Sequence, residues 1–354
     1  MDITIEEALA RIRPPDAAAM EKAGKKQARL LKPEGSLGTL EEIAVRMTGI
    51  TGQQANELNK KRHLLFGADN GVYAEGVSTA PQQMTARLVE VYANRKGGCI
   101  DTLCEKLRIE LCIYDLGVKG LEPLSGVDAS HKLMEDGTGN IACEKAMPAR
   151  VARAAVELGI NLVKEAEKDG VSIIGTGEVG MANTTTAAAC IMACLGGYDP
   201  ALVGYGAGLS EAAFEKKKSV IKKALILHNL TKEDKADDTY EADPLTVLSS
   251  VGGLDIAAMT GVFIGAAAYR LPVIIDGAIS AAAALLSTRF SPLTKEYMFA
   301  SHISAEPAYQ AAADALGVKP FLSLGMRLGE GSGCPLAMQI MDDALLLANH
   351  MAEQ

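Results

Sequence analysis

The chain predicts an α/β protein: a mostly parallel sheet with helices on both faces, plus a small helical domain built from the two ends. Three observations carry this. Short apolar runs alternate with longer helix-periodic stretches, as in successive βαβ units. Many strand ends run into glycine-rich turns. And 354 residues, 48% hydrophobic and 22% charged, can bury a large core at roughly 150 residues per domain.

The elements read in order as follows. Ile5–Ile12 is a short amphipathic helix, and Pro14-Pro15-Asp16 restarts a helix carrying Ala18, Met20, Leu30 and Leu31. Lys32–Gly38 is a loop, after which Thr39–Glu42 has capping-box spacing for a helix through Met47. Buried strands are then predicted at His63–Ala68, Ile109–Tyr114, Val171–Ile174, Pro272–Ile275 and Tyr297–Ala300. Helices are predicted at Gln82–Leu107, Pro148–Glu167, Met181–Cys194, Ser210–His228 and Ile256–Tyr269. The run Leu336–Met351 is a further amphipathic helix, placed beside the N-terminal ones. The division that follows is a large α/β domain over 31–304 and a small helical domain of 1–30 with 305–354. Lys232–Asp243 is a charged stretch and reads as a mobile surface insertion.

Composition narrows the function. Thirty-five Lys and Arg against 44 Asp and Glu leave a net charge of −9, which supplies no broad basic face for nucleic acid. Aromatics are 4% with no Trp, so base-stacking platforms are disfavoured. The seven cysteines are odd in number and form no CxxC pair; with an acidic amphipathic N-terminus, reduced thiols in a cytoplasmic protein are expected. The longest uncharged stretch, Val179–Tyr198, is too polar and glycine-broken to span a membrane.

Glycine turns stand at Gly137–Asn140, Gly175–Gly180, Gly204–Gly208, Gly252–Gly253 and Gly329–Gly333. Ligands of open α/β sheets bind at the carboxyl ends of strands, where glycines let backbone N–H groups approach a phosphate. A phosphorylated ligand is the expectation. Gly175-x-Gly177-x-x-Gly180 matches a dinucleotide fingerprint, but Asp199 lies in a turn rather than ending a second strand, and Glu178 would repel a pyrophosphate; NAD is rejected. Two carboxylates flanked by glycines, Glu330 and Glu178, are open to close approach by a ligand and suit general-base or polarising roles. His302 follows a strand and reads either as a structural histidine or as a residue that touches a ligand. Lys216-Lys217-Lys218 reads either as a solvated face or as a run from which one lysine swings back to a phosphate. No HExxH, GxSxG or spaced His/Cys cluster supports a metal or a serine nucleophile.

LLKPEGSLGTLEEIA (30–44), ADNGVYAEGVS (68–78), GTGEVGMANTT (175–185), GGLDIAAMTGV (252–262), SHISAE (301–306) and MRLGEGSG (326–333) together resemble the nicotinate-nucleotide–dimethylbenzimidazole phosphoribosyltransferase family of cobamide assembly, across nearly the whole chain. The resemblance implies a Rossmann-like sheet and transfer of phosphoribose from nicotinate mononucleotide to a lower-ligand base, with no cofactor or metal. It implies Glu330 as general base and Glu178 beside the acceptor. Gly180, Gly204, Gly206, Lys217, Gly277 and Ser304 are implied to hold the phosphate and ribose. An acceptor pocket of Glu178, Ala80, Leu88, Val179 and Leu328 is implied, and it is more apolar than usual because Ala80 and Leu88 replace a Ser and a Gln of a benzimidazole-using member. Asp69-Asn70-Gly71 stands where the family usually reads Asp-His-Gly, so no proton role is expected of Asn70. A homodimer is implied, or a heteromer with a paralogous subunit as in relatives that use phenols. The rival reading is a non-catalytic nucleotide-binding subunit of such a pair.

Overall fold

The computed structural model describes residues 2–231 and 242–354. Six strands, β1 (Lys61–Ala68), β2 (Ile109–Gly117), β3 (Val127–Asp128), β4 (Ile173–Val179), β5 (Val273–Ile275) and β6 (Met298–Ala300), form one sheet in the order β3-β2-β1-β4-β5-β6. Every pairing is parallel. The order reverses between β1 and β4, and a crevice opens beyond the carboxyl ends at such a switch point.

The first helices are α1 (Ile5–Leu9), α2 (Ala17–Arg29), α3 (Thr39–Thr51), α4 (Met84–Ala93), α5 (Cys99–Lys106) and α6 (Ala149–Lys168). Then come α7 (Asn183–Leu195), α8 (Glu211–Leu227), α9 (Pro244–Val251), α10 (Leu254–Tyr269), α11 (Ala278–Phe290), α12 (Pro307–Leu316) and α13 (Gly333–His350). Helices α10 and α11 cover one face of the sheet and α4, α5 and α13 the other, with α6 packed over α10. Helix α10 is buried on all sides from Leu254 to Ala267, as expected of a helix that is apolar all round. Two glycines let it meet α6 backbone to backbone. A Cβ on Gly159 would lie 2.0 Å from the Ala258 carbonyl oxygen, and one on Gly261 would lie 1.9 Å from that of Val156.

At the ends of the chain, α3 packs against α2 and α13. Leu30 pairs with Glu353 in an antiparallel bridge, extended by Leu31 N–H to the Ala352 carbonyl at 2.7 Å and Gln354 N–H to that of Arg29 at 2.8 Å. Helix α1 lies on α6 and α10, and α12 on α11 and α7.

Several expectations are corrected. The predicted strand Val171–Ile174 is β4, and it runs on through Gly175, Gly177 and Glu178 to Val179, fully buried; the glycine segment is strand, not loop. The single helix expected over Gln82–Leu107 is two, broken where Arg95 and Gly97 take positive φ of 51° and 86°. Thr39 caps nothing: Gly38 holds the N-cap position of α3. Glu41 instead accepts from the Leu37 N–H at 2.9 Å and from Lys32 at 2.7 Å. Strand β3 is too short to leave an apolar signature. Of the charged stretch Lys232–Asp243, residues 232–241 lie outside the described residues, and Asp243 caps α9 by accepting from the Thr246 N–H.

Candidate active site

Strand β4 delivers Glu178 and Val179 to the switch point, and the backbone turns through Gly180–Ala182 into α7. Ala182 adopts φ 70° at that turn. Asn183, first residue of α7, donates its side-chain amide to Glu178 Oε2 and to Asp255 Oδ2, the latter at 3.3 Å. One amide thus ties together two buried carboxylates. Burial, with Asp255 nearby, holds Glu178 well above the ordinary carboxylate range, and burial pushes Asp255 up to about 6.

The second carboxylate comes from the loop before α13. Gly329, Glu330 and Gly331 all take left-handed φ, 83°, 64° and 77°, a conformation that costs a non-glycine residue about 1–2 kcal/mol. Backbone bonds from neighbouring buried groups hold it. Glu178 Oε1 accepts the Glu330 N–H at 3.1 Å. Asp276, at the end of β5, accepts the N–H groups of Gly331 at 3.2 Å and Gly333 at 2.7 Å. Gly331 lies flat on the His63 ring, where a Cβ would fall 2.3 Å from the imidazole. Burial keeps His63 neutral, its pKa lowered to about 3, and raises Asp276 to about 7. Burial likewise raises the Glu330 carboxyl, which makes its ionised form a stronger base.

Glu178 and Glu330 line one cavity of about 270 Å³. Its lining includes the apolar Val77, Ala80, Met84, Leu88, Val179 and Leu328, with Ser78, Thr79 and Arg327 among them in sequence; its polar wall contains Gly180, Thr184, Gly206, Gly277, Ser304 and Glu306. Every acceptor-pocket residue expected from the sequence is therefore in this cavity, as are Gly180, Gly206, Gly277 and Ser304. Gly204 and Lys217 sit just behind the polar wall. The Lys217 ammonium is buried, not part of a solvated run, and donates to the Gly204 carbonyl at 3.0 Å and to Thr184 Oγ1 at 2.9 Å. Burial lowers its pKa to about 8, and the Glu306 carboxylate works against that fall. Lys216 is exposed and Lys218 pairs with Glu215 at 2.7 Å.

Other candidates sort out around the cavity. His302 lines it, but Ser301 Oγ holds its Nδ1 at 2.9 Å and burial lowers its pKa. Asn70 is buried outside the lining, where its amide reaches the carbonyls of Ala68 and Met181, both at 3.4 Å, and ties the end of β1 to the turn after β4. Asp199 caps the short helical turn Pro200–Leu202 and ends no strand. Sequence reasoning missed Asp276, Asp255, Asn183, His63 and Glu306. Of these only Asp276 carried a signal, as an acid directly after an apolar strand and before Gly277. Among the described residues no group of three or more His, Cys, Asp or Glu is placed to hold a metal ion, and no helix is long and apolar enough to cross a membrane.

Comparison with known proteins bears on what the cavity does. A family model described as Phosphoribosyltransferase matches residues 12–354. Nicotinate-nucleotide–dimethylbenzimidazole phosphoribosyltransferase of Clostridium perfringens is 44% identical over 331 residues, covering 94% of this chain and 88% of that protein. The protein of the same name from Clostridium tetani is 42% identical, covering 98% and 93%. The crystal structure of CobT from Thermus thermophilus superposes with a TM-score of 0.87 at 32% identity, covering 95% of this chain and 97% of that one.

Proposed function

The chain belongs to the nicotinate-nucleotide–dimethylbenzimidazole phosphoribosyltransferase family, and from that premise we propose how its cavity carries out the transfer. The enzyme moves phosphoribose from nicotinate mononucleotide to a lower-ligand base, releasing nicotinate and an α-riboside 5′-phosphate for the nucleotide loop of cobamides. C1′ of the donor is bonded to a cationic pyridinium nitrogen. When that bond breaks, its electron pair stays on nitrogen and the ring leaves neutral, so no acid is needed on the leaving side. What limits the step is an acceptor held in line on the opposite face and relieved of its proton. Glu330 takes the acceptor proton as the new bond forms, and attack from the far side inverts β to α. Glu178 orients or polarises the acceptor. Gly180, Gly204, Gly206, Gly277, Ser304 and Lys217 hold the phosphate and ribose.

The observation that carries this reading is the pairing of Glu330 and Glu178 in one cavity whose lining offers both apolar side chains and glycine backbone. The polar wall offers glycine backbone with a buried lysine behind it, which suits a phosphate. The apolar part of the lining suits a flat aromatic acceptor presenting a single N–H or O–H to a carboxylate. Because Ala80 and Leu88 add no hydrogen-bonding group, the acceptor range extends beyond benzimidazoles to a phenol such as p-cresol. The working protein is cytoplasmic and a homodimer, a heteromer with a paralogue being the alternative.

The test is a product assay with nicotinate mononucleotide and dimethylbenzimidazole, benzimidazole, adenine or p-cresol, read by mass spectrometry. An α-riboside phosphate is expected, with Glu330→Gln lowering kcat by about 10²- to 10⁴-fold. Full activity in Glu330→Gln would remove the base assignment, and strict benzimidazole preference would remove the broadened pocket.

A further inference from the structure

The polar wall holds one carboxylate for which the transfer has no use. Glu306 precedes α12, and its Oε1 accepts the Gly206 N–H at 2.9 Å. The same carboxylate presses on Gly204, where a Cβ would come within 2.1 Å of Oε2. It is also the charged group whose field reaches the buried Lys217 ammonium. A backbone amide assigned to the donor phosphate is therefore already occupied by an anion that the protein carries itself. A phosphate anion and a carboxylate compete for one shared N–H and repel each other across it, so the carboxylate must leave for the phosphate to bind.

We propose that Glu306 is an internal competitor for the phosphate cradle: it fills the Gly206 amide and adds the same cost to the binding of every anion that seeks the cradle, nucleotide or free phosphate alike. Free inorganic phosphate brings only its own hydrogen bonds and must undo one that is already made. A nucleotide meets the same cost, but its ribose and ring make further contacts, so it keeps a useful affinity after the exchange. Pro307, at the first position of α12, fixes the backbone beside Glu306, so the exchange falls to rotation of the side chain rather than to movement of the helix.

This inference rests on the cradle reading given above, and the experiment separates the two. Inorganic phosphate is titrated as an inhibitor against nicotinate mononucleotide in the intact enzyme and in Glu306→Gln, Glu306→Ala and Lys217→Met. The assays are run at pH 6.5, below the range in which Lys217 loses its proton. Both Glu306 variants are expected to lower the phosphate inhibition constant and the donor KM by the same factor, about tenfold for loss of one charge-assisted bond, with kcat little changed. Lys217→Met is expected to weaken both ligands. If the Glu306 variants leave the phosphate constant unchanged, or raise the donor KM, while Lys217→Met still weakens both, Glu306 serves the substrate or the fold and the inference falls alone. If Lys217→Met leaves phosphate inhibition intact, the cradle reading falls and takes the inference with it.

Discussion

At Glu330 basicity and backbone strain have a common origin. The left-handed turn that costs the residue conformational energy also carries its carboxyl into the cavity, where burial raises its proton affinity. Asp276 supports that turn through two backbone N–H groups. Asp276→Asn would turn an amide N–H₂ toward one of those donors; a loss of about 2–3 kcal/mol is expected, seen as a lower Tm together with a reduced kcat. An unchanged kcat would mean that the turn holds without it. Lys217 gives a pH signature of opposite sense to that of the base. Burial lowers its pKa to about 8, so the ammonium is lost as pH rises through that value. The donor KM should then climb above about pH 8, and Lys217→Met should abolish the climb while starting from a higher KM. The residues flanked by glycine were legible in the sequence as places a ligand can reach. Asp276 was marked only as an acid directly after an apolar strand, its action on backbone 55 residues away being invisible, and His63, which acts through a strand-to-loop contact, carried no signal.

Secondary structure was most legible where burial is one-sided and least where backbones crowd. Gly175 and Gly177 read as a loop, yet they are glycines because the His63 ring fills the space their side chains would need: a Cβ on Gly177 would lie 2.4 Å from its Nε2. The α4–α5 break was hidden because apolar positions on both sides of it face the same sheet, so the helical period runs across the interruption. Between α6 and α10 the same crowding makes a sharp prediction. Gly159→Ala or Gly261→Ala must push a methyl into a carbonyl oxygen at about 2 Å, and the helices have to part. A loss of about 2–4 kcal/mol is expected in either variant, readable in denaturant unfolding. A neutral result would mean that the two helices slide past one another freely.

For the molecule as a whole, alternating apolar runs and helices were sufficient to predict a parallel sheet, and five of its six strands were placed from them. The strand order was not legible, since it depends on which faces pair in space. That order nonetheless determines the centre. Reversal between β1 and β4 opens the crevice, and the cavity then draws its walls from segments as far apart as Val77 and Glu330. The Glu178–Glu330 contact alone bridges 152 residues. Such a span bears on how the protein is made. At about 5–20 residues per second of synthesis, Glu330, the proposed general base, leaves the ribosome roughly eight to thirty seconds after the strand that carries Glu178. Late in that interval the nascent chain still lacks both Glu330 and α13, which packs on β4, β5 and α3, so the cavity can close only after its last wall has been made.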